Sequence, residues 1–167
     1  MKKEFPHRKQ IRLKEYDYSQ EGYYFITICT QNRLQILSKI INEIGIDAKC
    51  VGANCVRPII KLSKIGQVID NEINKISKIY NNIFIDEYVV MPNHIHLIIE
   101  IESGRTQFAP TISQVIKQYK GSITKQLNYN IWQKSFYEHV IRNEKEYYLI
   151  KQYIQNNPLN WEKDKYY

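Results

Sequence analysis

Apolar and polar residues follow short-period patterns along most of this chain. Alternating or continuous β-branched and aromatic runs predict strands over residues 23–30, near 57–62, over 83–91 and from His94 onward. The Pro-Asn pair between the last two runs predicts a hairpin. Residues 43–57 show no clear period, so the pattern predicts no element for most of that stretch.

Two further segments carry apolar side chains every three or four residues, the spacing of one helix face. The first follows Ser63, which can cap a helix, and its stripe is Ile65, Val68, Ile69, Ile73, Ile76 and Ile79. The stripe of the second is Ile112, Val115, Ile116, Tyr119, Ile123 and Leu127. A third helix is predicted from Asn143, with Glu146 completing a capping box, to a stop at Pro158.

The order of these elements predicts an α+β fold in one domain. Strand, short strand, helix, hairpin, helix and helix are close to a ferredoxin-like arrangement, with an antiparallel sheet covered by helices. A chain of 167 residues is long enough for one core and too short for two, so we expect a single domain over residues 1–167. Residues 1–14 form a basic arm ahead of it.

Two histidines at the start of the fourth strand are the first candidates for chemistry. His94 and His96 are two residues apart, so a strand turns both to one face, opposite Ile95 and Leu97. We expect them to face away from the core, where two imidazoles can hold one metal ion. The alternative is that a chance His-x-His pair merely forms hydrogen bonds with its neighbours.

A tyrosine and an amide on the last helix are the second candidates. Tyr153 and Asn157 are four residues apart and so share a helix face. A phenol oxygen is a competent nucleophile towards a metal-bound phosphodiester. The alternative is that Tyr153 only packs against its neighbours, because most of the fourteen tyrosines of the chain are expected to have structural roles. Three other tyrosines nearby are rival candidates: Tyr137, Tyr147 and Tyr148. Tyr147 forms an apolar stripe with Ile150 and Ile154 and so is expected in the core. Tyr148 has no amide residue one helical turn further on.

Charge and cysteine content narrow the class of protein. Twenty-four Lys and Arg against seventeen Asp and Glu give a net charge of +7, which favours a polyanionic partner such as nucleic acid. Cys29, Cys50 and Cys55 are odd in number and lack Cys-x-x-Cys spacing, so we expect reduced thiols and a cytoplasmic location. Neither a secretory signal nor a stretch able to span a membrane is evident.

Several segments together resemble a known family. They are YDYS at 16–19, the stretch from Gly22 through CTQNR at 29–33, VVMPNHIH at 89–96, WQ at 132–133, FYEH at 136–139, IRN at 141–143 and YIQNNP at 153–158. In this order they resemble the single-tyrosine HUH transposases, and most closely the REP-associated tyrosine transposases. The resemblance spans nearly the whole chain, which makes it far more specific than His-x-His alone.

The resemblance implies a metal-dependent enzyme that nicks and rejoins single-stranded DNA, as a transposase or a domesticated relative acting at a hairpin. His94 and His96 match the HUH pair, Tyr153 matches the nucleophile and Asn157 matches the amide that completes metal coordination. Mg²⁺ or Mn²⁺ is the implied cofactor, and a 5′-phosphotyrosine is the implied intermediate. A monomer is favoured over a dimer.

Other interpretations stay open at this point. Lys117, Lys120 and Lys125 on the second predicted helix either contact a DNA backbone or form a solvated face. Packing is expected for Trp132 and a structural role for His139. Water could replace tyrosine as the attacking group in a metal-dependent nuclease, or the protein could bind single-stranded nucleic acid without cutting it.

Overall fold

The computed structural model describes residues 17–44, 56–102, 110–164 and 166. Its strands and helices are β1 (Gly22–Cys29), β2 (Ser38–Ile44), β3 (Val56–Leu62), α1 (Lys64–Ile79), β4 (Ile83–Val90), β5 (His94–Ile101), α2 (Ile112–Leu127), β6 (Tyr137–Ile141) and α3 (Glu144–Asn156). Two short 3-10 helices span Gln31–Arg33 and Pro158–Lys163. The expected basic arm, residues 1–14, lies outside the described residues, as do Cys50 and Cys55.

Four strands form one antiparallel sheet in the order β4, β5, β1, β6. In this sheet Thr27 of β1 lies opposite both His96 of β5 and Tyr137 of β6. The connection from β1 to β4 contains the strands β2 and β3 and then α1, and α2 connects β5 to β6. Each connection therefore joins two strands of the sheet that are separated by a third. This split βαβ connection is the ferredoxin-like arrangement, and the predicted α+β fold is confirmed.

One face of the sheet shares the main core with α1 and α2. Ser63 and Thr111 begin these helices by accepting hydrogen bonds from the backbone N–H groups three residues on. The predicted apolar stripes point into this core, with one exception at the end of α1. Ile79 is 63% exposed, and Tyr80, the next residue, packs against the core instead.

The opposite face of the sheet is also covered. Helix α3 packs on β4 and β5, and the 3-10 helix Pro158–Lys163 packs on α3 and β3. A second apolar cluster forms between these layers from Phe25, Val89, Met91, Ile98, Ile141, Ile154 and Trp161. The expectation that the histidines face away from the core therefore holds for the main core only, because this second cluster encloses them.

The strands β2 and β6 were not predicted from the sequence. β2 pairs with β3 as a separate two-stranded ribbon, in which Ile40 lies opposite Ile60 and both pack against the second cluster. β6 is a five-residue strand at the edge of the main sheet. Polar residues interrupt the apolar pattern of both segments, SKIINEI and YEHVI, so their alternation is weak. Within the described ranges, none of the helices has the length and apolar character needed to cross a bilayer.

Candidate active site

Both histidines lie at the start of β5, directly after the turn at Pro92 and Asn93. A backbone hydrogen bond of 2.9 Å from Met91 N to His94 O closes this turn. Both side chains are fully buried, and their Nε2 atoms are 3.0 Å apart. The alternation of the strand thus brings two ring nitrogens to one point.

Each imidazole is held through its other ring nitrogen. His94 Nδ1 lies 2.8 Å from Asn93 Oδ1, and Asn93 Nδ2 donates to the Tyr166 carbonyl at 2.6 Å. A carbonyl oxygen can only accept a hydrogen bond, so the Asn93 amide must direct its Nδ2 at Tyr166 and its Oδ1 at His94. His94 Nδ1 therefore donates to Asn93 Oδ1. His96 Nδ1 lies 2.8 Å from Thr27 Oγ1 on β1. This arrangement leaves the Nε2 lone pair of His94 directed at the shared point, as in histidines that bind metals.

Helix α3 brings Tyr153 and Asn157 to the same point from above the sheet. Tyr153 Oη lies 3.2 Å from His96 Nε2, so the phenol reaches the histidines within a single chain. Asn157 is 1% exposed, and its Oδ1 is buried without a hydrogen-bond partner among the described residues. A buried amide oxygen left in this way costs about 1–3 kcal/mol, which a bound cation would offset. The structure therefore brings together all four residues singled out from the sequence.

Asp164 joins this group, and sequence analysis missed it. Its Oδ2 accepts hydrogen bonds from Tyr153 Oη at 3.1 Å and from Asn157 Nδ2 at 2.6 Å, while its Oδ1 accepts from Tyr166 N at 2.7 Å. Asp164 follows the 3-10 helix after Pro158, where no helical period connects it to Asn157. Its position depends on the path of the chain beyond α3, for which the sequence carried no signal.

The donor set fits a hard divalent cation. Ligand atoms of His94, His96 and Asp164 lie within 4.8 Å of one another. Asn157, whose Oδ1 has no partner among the described residues, contacts Asp164 through its Nδ2. Adjacent ligands of an octahedral ion bound at about 2.1 Å are about 3.0 Å apart. The two Nε2 atoms have this separation. Imidazole, amide and carboxylate donors together are compatible with Mg²⁺ or Mn²⁺.

The environment of Tyr153 keeps its phenol protonated. Burial, followed by the charge of the Asp164 carboxylate, raises the pKa of Tyr153 above its ordinary value. The ring of Tyr153 packs edge-on against Phe25, with centroids 6.1 Å apart, and Phe25 in turn stacks on His96. A neutral phenol needs a proton acceptor to become a nucleophile, and Asp164 is in contact with its hydroxyl.

Several known proteins resemble this chain in sequence or in fold. An uncharacterized protein of Haemophilus influenzae is 34% identical over 96% of this chain and 93% of its own length. A REP-associated tyrosine transposase of Escherichia coli is 37% identical over 42% of this chain and 41% of its own length. A solved REP-associated tyrosine transposase bound to a REP hairpin matches 89% of this chain and 74% of its own, with 26% identity and a TM-score of 0.61. The chain belongs to the REP-associated tyrosine transposase family. No family model matches it.

In this member of the REP-associated tyrosine transposase family, β4 holds α3 through two successive carboxylates. The register of β4 against β5 shifts between Ile85 and Glu87, so Asp86 is an extra residue in the strand. Asp86 and Glu87 consequently both contact α3. The contacts are Asp86 with Tyr147 Oη at 2.9 Å and with Lys151 Nζ at 3.1 and 3.2 Å, and Glu87 with Gln155 Nε2 at 2.8 Å.

The edge strand β6 holds the first turn of α3. His139 Nε2 lies 2.7 Å from Glu146 Oε1, and Glu146 Oε2 accepts from Arg142 N at 2.8 Å. These two contacts, the backbone one first, lower the pKa of Glu146. Asn143 caps α3 by accepting from Glu146 N at 2.9 Å. The predicted capping box is therefore only half formed, because the Glu146 side chain binds Arg142 and His139 instead of the Asn143 N–H.

We expect Asp86→Ala to loosen α3 selectively. The Asp86–Lys151 ion pair is partly exposed, with side chains 22% and 28% accessible, so its loss should lower the free energy of unfolding by about 1 kcal/mol. Amide hydrogen exchange should accelerate in α3 more than in α1. The matched control is Asp70→Ala, which removes the acceptor of the Tyr88 hydroxyl and leaves α3 untouched. Equal exchange rates in α3 for both variants would contradict the expectation.

The other candidate residues lie apart from the histidines. Lys117 and Lys125 are exposed on α2, on the far side of the sheet. Lys120 Nζ donates to the Gln133 carbonyl at 2.6 Å, and burial lowers its pKa. The Tyr147 hydroxyl donates a hydrogen bond to Asp86, and the Tyr148 side chain is 55% exposed.

Two of the secondary interpretations can be compared with the structure. Trp132 is 2% exposed within the main core, so the packing role expected for it is confirmed. His139 contacts Glu146 at the start of α3, in line with a structural role.

Proposed function

We propose that this protein is a metal-dependent transposase that cuts and rejoins single-stranded DNA through Tyr153. The observation that carries the proposal is the position of Tyr153 Oη, which lies 3.2 Å from His96 Nε2. One helical turn further on is Asn157, whose buried Oδ1 has no partner in the described part of the chain. A phenol beside a cation site is the arrangement that attack on a bound phosphodiester requires. The membership of the chain in the REP-associated tyrosine transposase family supports the same reaction class.

The proposed cutting step exchanges one ester for another. Tyr153 Oη attacks the scissile phosphorus, and its proton passes to Asp164 Oδ2, 3.1 Å away. The bond from phosphorus to the 3′ oxygen breaks, and that oxygen leaves as a 3′-hydroxyl after taking a proton from solvent. The 5′-phosphate remains esterified to Tyr153. Rejoining reverses these steps, so no nucleotide cofactor is needed.

His94, His96 and Asn157 are the residues proposed to hold the divalent cation, Mg²⁺ or Mn²⁺. When bound, such an ion supplies Lewis-acid polarisation of the scissile phosphate. Asn93 and Thr27 keep the two imidazoles in position through their Nδ1 atoms. The second apolar cluster keeps bulk water from the histidines, which are fully buried.

The proposed substrate is a hairpin with a single-stranded flank. The solved family member is bound to a REP hairpin, and the net charge of +7 suits a polyanion. Lys117 and Lys125 face away from the histidines, so we assign them to backbone contacts away from the cut. Lys120, also predicted to contact DNA, is engaged with Gln133 and contributes less to such a surface.

One chain supplies the whole proposed site. Tyr153 contacts His96 of the same chain, so the arrangement requires no second copy and favours a monomer acting in cis. We propose that residues 1–167 function as a single domain. The reaction belongs in the compartment that holds cellular DNA, which agrees with the cytoplasmic location expected from the cysteines.

A trapping experiment tests this proposal. Incubation of the protein with an end-labelled single-stranded hairpin and Mn²⁺ should give a protein–DNA adduct that survives denaturing electrophoresis, with the label on the fragment 3′ to the cut. Cleavage without an adduct would instead identify water as the attacking group. Binding without cleavage in either Mg²⁺ or Mn²⁺ would favour a non-catalytic nucleic-acid-binding protein.

A further inference from the structure

A cleft with a volume of about 440 Å³ opens beside the candidate nucleophile. Three of the residues that line it, Tyr153, Asn157 and Asp164, belong to the proposed active site. The other four, which we call the amide wall, are Gln152, Asn156, Asn160 and Lys163. All four side chains of the amide wall are exposed, and the proposed cutting step gives them no role.

The amide wall is a continuous surface along the end of α3. Gln152 and Asn156 are four residues apart, on successive turns of one helix face. Asn160, in the following 3-10 helix, donates from Nδ2 to the Asn156 carbonyl at 3.0 Å. That bond uses one of its two amide N–H groups and holds the side chain against the end of α3. Three carboxamides therefore line the same cleft.

The chemistry of the amide wall matches an unpaired nucleobase. A carboxamide presents a donor next to an acceptor, as the edges of nucleobases do, and Asn and Gln form paired hydrogen bonds with such edges. The four side chains include one ammonium and no carboxylate, so they do not repel a phosphodiester. The cleft also has the size of small-ligand pockets, which span roughly 300–1,000 Å³.

We propose that the amide wall binds the unpaired nucleotide that adjoins the scissile phosphate. Gln152, Asn156 and Asn160 form hydrogen bonds with the edge of its base, and Lys163 neutralises its phosphate. This inference rests on the proposed function, because it takes the reacting phosphate to lie at Tyr153. The amide wall then determines which base stands beside the cut.

An abasic scan tests the amide wall through binding, and only the position of the cut is taken from cleavage by the unaltered protein. In Tyr153→Phe protein with Mn²⁺, affinity for a single-stranded hairpin is measured by fluorescence anisotropy while one base at a time is removed. We expect one position beside the mapped cut to lose about tenfold in affinity, as for one good base contact. Addition of Gln152→Ala and Asn156→Ala should weaken binding of the intact DNA about tenfold and abolish the penalty at that position.

The control variant is Lys145→Ala, which alters an exposed side chain of α3 outside the cleft and should leave the abasic profile unchanged. Lys163→Gln should reduce the slope of log affinity against log salt by about 0.7, the value for one single-strand phosphate contact. The inference would be overturned if the Gln152→Ala, Asn156→Ala protein still lost about tenfold in affinity on removal of that base. It would also be overturned if the protein without those two changes lost no affinity at any abasic position. Failure of the proposed function shows separately, as the absence of an adduct from the unaltered chain.

Discussion

Tyr153→Phe should abolish covalent attachment of DNA and reduce cleavage at least about a thousandfold, as expected when a nucleophile is removed. The substitution removes one hydroxyl and keeps the ring that packs against Phe25. The lost hydrogen bonds to His96 and Asp164 should cost about 1 kcal/mol of folding stability. Denaturing electrophoresis of a labelled hairpin incubated with Mn²⁺ measures the adduct, and chemical denaturation measures the stability.

The matched control for this variant is Tyr148→Phe, a change of the same atom on the same helix. Tyr148 is 55% exposed, so its hydroxyl should be dispensable for both the adduct and the fold. Mn²⁺ binding should survive in Tyr153→Phe, because the proposed ligands are His94, His96 and Asn157. An adduct that persists in Tyr153→Phe and maps to Tyr147 or Tyr148 would show that the nucleophile is another tyrosine.

The parts of the site that the sequence predicts are those set by local geometry. His94 and His96 share a face because strand side chains alternate, and Tyr153 and Asn157 share one because a helix turns every 3.6 residues. The convergence of the two pairs is a property of the tertiary fold. Residue spacing alone does not predict it, whereas the resemblance to a known family implies it.

The parts that the sequence does not predict depend on contacts between distant segments. Asp164 reaches Tyr153 only because the 3-10 helix Pro158–Lys163 turns the chain back over the sheet. Asp86 faces α3 because of a register shift in β4, and a pattern of period two cannot reveal an inserted residue. The burial of the histidines follows in the same way, since the elements that cover them come from the end of the chain.

The burial of the histidines also makes the candidate metal site a part of the folded interior. Asn157 Oδ1 is buried and has no hydrogen-bond partner among the described residues, which is unfavourable in a folded interior. A cation at this point would contact that oxygen together with the two Nε2 atoms, which lie 3.0 Å apart. We therefore expect metal binding to stabilise the fold, in addition to any role in catalysis.

His96→Gln is the second large expected effect. It removes an imidazole that is fully buried, while the amide retains much of the side-chain volume and so limits the cavity. We expect cleavage to fall below detection and Mn²⁺ binding, measured by calorimetry, to be lost. The unfolding temperature of the unaltered protein should rise on addition of Mn²⁺, and that of His96→Gln should not.

Thr27→Val is the matched control for His96→Gln. It keeps the shape of the side chain but removes the oxygen 2.8 Å from His96 Nδ1, so the imidazole remains and loses its fixed orientation. Such supporting contacts typically contribute about 10–100-fold to metal affinity, so Thr27→Val should bind Mn²⁺ weakly and retain reduced cleavage. Mn²⁺ affinity and DNA cleavage should both decrease in the order unaltered protein, Thr27→Val, His96→Gln. Unchanged cleavage in His96→Gln would remove the histidine pair from the mechanism, whereas lost cleavage with intact Mn²⁺ binding would place the ion elsewhere.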